Sequence, residues 1–377
     1  MSSIADVLLD ARAALERGDL EAAEALYARA LQREPALASA LRGRAEIALK
    51  RNDPATALGL VEASLGAASA YVPSQSKDPM RVLQLGSIHP HAHANTDRVL
   101  NPLWTETTTL LVEKWDLAWE LPPHDILFNV IADADIALPA LELAARLVEG
   151  RRPVLNAPAA VALTSRVENA SRLAGIDGLK MAKVALVART EVPAISGFPY
   201  LLRAPGFHNG ANFEMVRDAA DRDRALQALP GDALLHIEYL ETRLSDGAFR
   251  KYRAMCVDGI LHPAHLAIGD VWKLHYFSST MTEERREEER SYLRDMRAHL
   301  GSRAYAALAE AARRMNLDYC GMDFTLDADG VVALFEANAS MTVFLPEDTA
   351  SNAYRREAVF AIDAALQELI VKRTGRV

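Results

Sequence analysis

The segment "GMDFTLDADGVVALFEANAS", residues 321–340, limits the possible folds more than any other stretch of the chain. Apolar residues alternate on both sides of Asp329–Gly330, the pattern of two strands joined by a tight turn. Glu336 and Asn338 are two apart on the returning strand, so both project from one face. A turn at 328–330 brings Asp323 opposite that pair. Two carboxylates and an amide oxygen in one patch form a hard-oxygen site suited to Mg²⁺, with room left for water and phosphate oxygens. The plain alternative is the polar outer face of a sheet. Against it, Val331, Val332, Leu334 and Phe335 crowd the acids, and acids in an apolar strand need partners. The "DADG" could also open a calcium loop. The glutamate that such a loop needs at its twelfth position is absent, so Asp329–Gly330 reads as a two-residue hairpin turn.

The chain has 377 residues, enough for two or three domains. Residues 1–70 are rich in alanine and leucine and read as helices. "RGDLEAAEALYARAL" (17–31) aligns with "RNDPATALGLVEASL" (51–65) at an offset of 34, and Pro35 ends the first unit. This period resembles the tetratricopeptide repeat, a helix–turn–helix unit; an ordinary pair of helical hairpins is the alternative. Small residues such as Ala23 and Ala30 let paired helices approach closely, and Gly18 or Asn52 permits the turn. Residues 71–80 read as a linker, within the small and polar stretch "GAASAYVPSQSKDPM" (66–80). Strand-like runs then follow at 81–87, 125–133 and 152–156, with a helical pattern at 137–150 between the last two. Strands alternating with helices imply a small α/β domain with a parallel sheet over 81–160. The remainder, 161–377, mixes hairpins and helices, and its charge run at 283–290 reads as a solvated helix face.

Composition excludes several classes. Lys and Arg number 42 against 51 Asp and Glu, a formal charge of −9, which disfavours nucleic acid as the main partner. The two cysteines, Cys256 and Cys320, form no zinc or disulfide pattern and read as buried thiols in a reducing compartment. The N-terminal stretch carries acids early and has no apolar core, so no signal peptide is expected. No apolar run approaches the roughly 18 residues of a membrane span. A cytoplasmic protein with no membrane partner is the expectation.

Asp323, then Glu336, then Asn338, in the spacing D–x12–E–x–N, resembles the magnesium motif of ATP-grasp ligases. The segment is most similar to D-alanine–D-alanine ligases and RimK-like glutamate ligases. Earlier segments follow in order. "PVLNAPAAVALTSRVENASRL" (153–173) is similar to the entry to the ATP-grasp fold and puts Arg166 at the place of a phosphate-contacting base. "FPYLLRAPGFHNGANFEMV" (198–216) resembles the strand–loop–strand that folds over the phosphates, with Arg203 for the usual lysine and Gly206, His208, Asn209 and Gly210 in the loop. "ALLHIEYLE" (233–241) resembles the hinge strand, which implies adenine contacts at Glu238, Tyr239 and Leu240. The resemblance covers about 160–345 and implies an α+β multidomain chain. In that chain tetratricopeptide-like helical hairpins precede a small α/β pre-ATP-grasp domain and a C-terminal ATP-grasp fold (161–377).

The departures matter as much. Where the family has "xSPG" after the metal asparagine, this chain has "ASMTVF". The RimK-like "DxRxxV" strand appears as "KYRAMCV", which keeps Arg253. Gly321 stands where the D-alanine ligases carry an arginine, so Arg253 and Lys273 are the candidate cations for a tetrahedral intermediate. Lys273 and His275 lie two apart on an extended run and face one way, toward a phosphate or acyl-phosphate, or else toward solvent.

The resemblance implies ATP and one or two Mg²⁺ ions as cofactors. It implies a carboxylate and an amine as substrates, joined through an acyl-phosphate to give an amide, ADP and phosphate. A degenerate nucleotide-binding module that recruits a protein through its helical repeats is one alternative. A small-molecule kinase on the same fold is another. The helical N-terminus offers a surface for a protein partner or for a homodimer. Substrate contacts are expected from "SIHPHAHAN" (87–95), with His89, His91 and His93, and from Asn129 and Ser340. The three histidines suggest a metal, but Pro90 breaks their spacing and no acid nearer than Asp97 completes a ligand set. An exposed loop or a substrate contact is the reading that remains, since loops after parallel strands are where open sheets bind ligands.

Overall fold

A computed structural model describes residues 4–35, 37–51, 53–64, 69–72, 74–89, 92–94, 96, 98–207, 210–274, 279, 281–339, 341 and 343–376. His91, His208, Asn209, His275 and Ser340 lie outside the described residues. The chain divides into two compact units, Met1–Ala132 with Pro139–Ala159 and Thr342–Val377, and Asp133–Leu138 with Ala160–Met341. No described helix is long and apolar enough to cross a membrane.

The first unit opens with four helices, Ile4–Glu16, Leu20–Arg33, Ala38–Lys50 and Pro54–Ser64. Gly18, at φ 80°, makes the first turn, and Asp19 caps the second helix by accepting from the Ala22 N–H at 3.0 Å. Ala23 and Ala30 are fully buried in the helical core with Val7, Ala11, Tyr27 and Ile47. Gly43 is forced by that packing, because a Cβ there would sit 2.2 Å from Tyr27 Cζ.

Five strands follow, β1 (Ser69–Val72), β2 (Met80–Gly86), β3 (Thr105–Leu111), β4 (Ile126–Asn129) and β5 (Val154–Leu155), in the order β1-β3-β2-β4-β5. β2 to β5 are parallel, as the apolar runs predict, and β1 is antiparallel to β3. Two strands were not expected. β1 straddles the boundary between the segment read as helical (1–70) and the linker read at 71–80, within the small and polar stretch 66–80. β3 is "TETTTLL", whose threonines are polar by composition but β-branched and suited to a pleated strand. The C-terminal helix Ala353–Thr374 belongs to this unit, and Asp363 on it accepts from Arg98 Nε and Nη2 at 2.5 and 2.8 Å.

The second unit holds two sheets. β7 (Val184–Ala188), β8 (Tyr200–Arg203), β9 (Phe213–Val216) and β10 (Ala233–Glu238) form one, in the order β7-β10-β8-β9, all antiparallel. β6 (Leu179–Met181), β11 (Phe249–Val257), β12 (Ile260–Gly269), β13 (Tyr319–Leu326) and β14 (Val332–Asn338) form the other, in the order β12-β11-β13-β14-β6. The β13–β14 hairpin is the one expected, but its turn is longer than two residues. Asp327 N–H donates to Val331 O at 2.9 Å, and the Asp327 carboxylate accepts from the N–H of Asp329 and Val331 and from Lys180 Nζ. The turn thus consumes the carboxylate that a calcium loop would need. The charged helix breaks at Asp295 into Glu283–Arg294 and Met296–Leu300. Its face is not wholly solvated, since Glu289 is completely buried and accepts from Leu266 N–H at 3.3 Å. Cys256 and Cys320 are free, buried cross-strand neighbours.

Candidate active site

The five-stranded sheet of the second unit collects the chemistry on one face. Cross-strand partners in an antiparallel pair point the same way. The register opposes Arg253 to Asp323, Asp323 to Glu336, and Gly321 to Asn338. The three oxygen-bearing side chains singled out in the sequence therefore share a face, with Arg253 and Lys251 beside them on β11. His265 opposes Arg253 on β12.

Asp323 is fully buried. Arg253 grips it in a fork, Nε to Oδ1 at 2.7 Å and Nη2 to Oδ2 at 2.8 Å, and Lys251 Nζ lies 2.6 Å from Oδ2. Burial pushes this carboxyl upward, but Arg253 and Lys251 outweigh it and hold Asp323 well below the usual range. Glu336 is partly open. Arg166 Nη2 donates to its Oε1 at 2.9 Å. Burial again opposes ionisation, and Arg166 with Arg203 brings Glu336 down to about 2.

Arg166 bridges two acids. Its Nη1 donates to Asp135 Oδ2 and its backbone N–H to Asp135 Oδ1 at 3.2 Å. Burial raises the Asp135 carboxyl despite Arg166. Arg203, at the end of β8, is 8% exposed and donates through Nη2 to Phe207 O. Burial, with Arg166 nearby, lowers its basicity. The Nε of Arg166 and the Nε of Arg203 are both buried without a hydrogen-bond partner. Buried donors left unpaired are costly.

Residues 204–207 leave β8 beside this cluster, and residues 210–212 lead into β9. Gly206 is at φ 78°, and a Cβ on it would meet Ile136 Cγ2 at 2.6 Å, so a side chain is excluded twice over. Lys273 is not among the acids; its Nζ donates to Phe213 O at 2.9 Å, at the start of β9. At the end of β10, Glu238 N–H donates to Lys183 O at 2.9 Å, and its Oε2 accepts from Lys183 N–H at 3.1 Å. Tyr239 and Leu240 follow it, half-buried, past the end of the strand.

Gly321 has a physical reason. A Cβ there would lie 2.7 Å from Met341 Cγ and 2.9 Å from Met255 Sδ, so methionines fill the space an arginine would need. Asp135 and Lys251 belong to the cluster and were not anticipated. Asp135 comes from a loop 31 residues before Arg166. Lys251 could have been found, since it lies two residues before Arg253 and so faces the same way.

Of the remaining candidates, His89, His93 and Asn129 are in the first unit. Asn129 is buried and gives its amide to backbone, donating to Asn156 O at 3.0 Å and Ile131 O at 3.3 Å and accepting from Ile131 N–H at 3.2 Å. His93 Nε2 accepts from Ser87 N–H at 2.6 Å, against Gly86. Burial and the Arg42 charge push its imidazole down to about 4. It serves as a neutral acceptor at the end of β2. His89 N–H donates to Ser87 Oγ at 3.1 Å.

Among the described residues no three His, Cys, Asp or Glu side chains are grouped to hold a metal ion. An oxygen pair fits one better. Glu336 and Asn338 are both partly exposed on the shared face, and only Oε1 of Glu336 is in a described hydrogen bond. Asp323 has both oxygens engaged by cations and none open to solvent.

Among solved structures the chain is similar to a RimK domain ATP-grasp protein from Sphaerobacter thermophilus, with TM-score 0.48 and 14% identity over 77% of this chain and 99% of that one. It is also similar to the VanG D-Ala:D-Ser ligase of Enterococcus faecalis, with TM-score 0.48 and 10% identity over 79% and 100%. The ATP-grasp ligase PsnB, solved with precursor peptide PsnA2 and AMPPNP, gives TM-score 0.44 and 16% identity over 78% and 98%. No protein-family model and no curated protein matches the sequence.

Proposed function

We propose that the protein is an ATP-dependent carboxylate–amine ligase of the ATP-grasp type. One observation carries the reading: Arg166 and Arg203, each with a buried and unpaired Nε, both act on the partly open Glu336 carboxylate, Arg166 by a direct contact and Arg203 through its charge. A triphosphate is the ligand that such donors suit. Arg166 and Arg203 would hold its phosphates, and backbone N–H groups near Gly206 and Gly210 would cover them, as the resemblance implies. The adenine would lie at Glu238, Tyr239 and Leu240, as the resemblance implies.

The charge balance supports this. Among the described residues, the acids Asp133, Asp135, Asp323 and Glu336 lie with the bases Arg166, Arg203, Lys251 and Arg253, and His265 adds a base beside Asp323. A triphosphate added to such a site needs a further cation. Glu336 and Asn338 would hold magnesium, which supplies charge neutralisation on the phosphates when bound. Arg253, held rigid by Asp323, would stabilise negative charge that develops during acyl transfer. The substrate carboxylate is phosphorylated, ADP leaves, and an amine displaces phosphate. No protein nucleophile is needed, because positioning and charge do the work. The sequence division into repeat-like helices (1–70), an α/β domain (81–160) and a catalytic domain (161–377) remains part of the proposal.

The test is ATP turnover with pooled carboxylates and amines, read by ADP release and mass spectrometry. An ATP-dependent amide product that disappears in Glu336→Gln supports the ligase. A stable phosphorylated carboxylate with no amide indicates a kinase. Nucleotide binding without turnover indicates a binding module.

A further inference from the structure

Lys251 occupies a telling place. The strand that resembles "DxRxxV" reads "KYRAMCV" here, so a lysine stands where the pattern has an acid. In the fold that lysine faces Asp323, the first oxygen ligand of the resembled magnesium motif, and closes on it at 2.6 Å. Arg253 takes the other oxygen and shares the same one, at 2.7 and 2.8 Å. Asp323 has no exposed surface, whereas Lys251 and Arg253 keep 23% and 16% of theirs. The carboxylate is therefore the floor of the site and the two cations are its lining.

We infer that Asp323 is an anchor for cations and that the Lys251 ammonium takes the place of one of two metal ions at this site. The reading rests on the nucleotide site proposed above and narrows it to a single metal, held by Glu336 and Asn338. Three observations support it. A cation ligand needs a lone pair that an ion and its waters can reach, whereas Asp323 has no exposed surface and each of its oxygens is already held by a cation. An acid at 251 would lie against Asp323 and would require a bridging cation; a lysine there satisfies the same electrostatics permanently. Finally, an ammonium is a compact point charge with three donors, so it can hold Asp323 and still offer N–H groups to a phosphate oxygen.

The test counts manganese by electron paramagnetic resonance on the full chain, in excess over AMPPNP. The wild-type protein is expected to bind about one Mn²⁺ per nucleotide, and Lys251→Asp about two. Lys251→Gln is expected to stay at one, because Arg253 still holds Asp323, and to slow ADP release tenfold or more. Two Mn²⁺ in the wild-type protein overturn the inference, and that count does not depend on any variant folding. Nucleotide bound without any manganese also overturns it, while leaving the nucleotide site itself standing. No nucleotide binding at all overturns the site and the inference together.

Discussion

Asp323→Asn isolates the element on which the site is built. Asparagine has nearly the same shape, so no cavity opens and only charge is lost. Two cations then face a neutral amide. Lys251 is about a quarter exposed and can turn to water, but Arg253 is only 16% exposed and has less access to it. Removing one partner of a buried pair costs about 3–5 kcal/mol. With Lys251 partly relieved, about 3 kcal/mol is expected, or a drop of about 1–2 M in the urea midpoint of the second unit. Trp272 is the only one of the four tryptophans in that unit. Its resonance in protein labelled with 5-fluorotryptophan therefore follows this unit separately.

The pH dependence gives a second, independent check on the same variant. Asp323 is held below its unfolded value of about 3.9, so its contribution is complete above that pH. It is lost as pH falls toward the depressed folded value, because the unfolded chain then binds more protons. The wild type and Asp323→Asn should thus differ by a constant amount above about pH 5 and converge below about pH 4. A difference under about 1 kcal/mol at neutral pH, or one that widens in acid, refutes the reasoning.

Further outcomes follow from particular contacts. Gly206→Ala should weaken nucleotide binding and cost about 1–2 kcal/mol, since it meets both a left-handed backbone and Ile136; calorimetry with AMPPNP reads it. Gly43→Ala should destabilise the helical segment by about 1–3 kcal/mol through overlap with Tyr27, and Tyr27→Leu in the same chain should relieve part of that; thermal melts decide. His93 stays neutral in the folded chain to about pH 4, so the stability it lends is complete above its unfolded value of about 6.5 and declines as pH falls from there. An NMR titration placing its imidazole near 6.5 would contradict that packing.

The parts of the site carried by regular alternation were readable in the sequence. Period two on β14 puts Glu336 and Asn338 on one face, and the hairpin returns them to Asp323; the register agrees with both. The parallel strands around 81–87 and 125–133 were readable because continuous apolar runs are what a doubly covered sheet requires. What escaped was long-range or compositionally disguised. Arg166 joins Asp135 to Glu336 across 31 and 170 residues, and nothing local marks such a partnership. Glu289 sits in a charge run yet is buried, because its helix breaks and packs where composition suggests only solvent. Threonine-rich β3 was hidden by counting threonine as polar rather than as β-branched.

The central claim is that ATP activates a carboxylate at the Arg166–Arg203–Glu336 cluster. Positional isotope exchange tests it most directly. ATP labelled with heavy oxygen in the β,γ-bridge is incubated with the protein and a carboxylate pool, with no amine. Reversible acyl-phosphate formation frees the ADP end to rotate and scrambles the label into non-bridging positions. The account predicts scrambling that requires a carboxylate and is absent in Glu336→Gln. ATP that binds in the presence of every carboxylate offered, yet never scrambles or turns over, would contradict it.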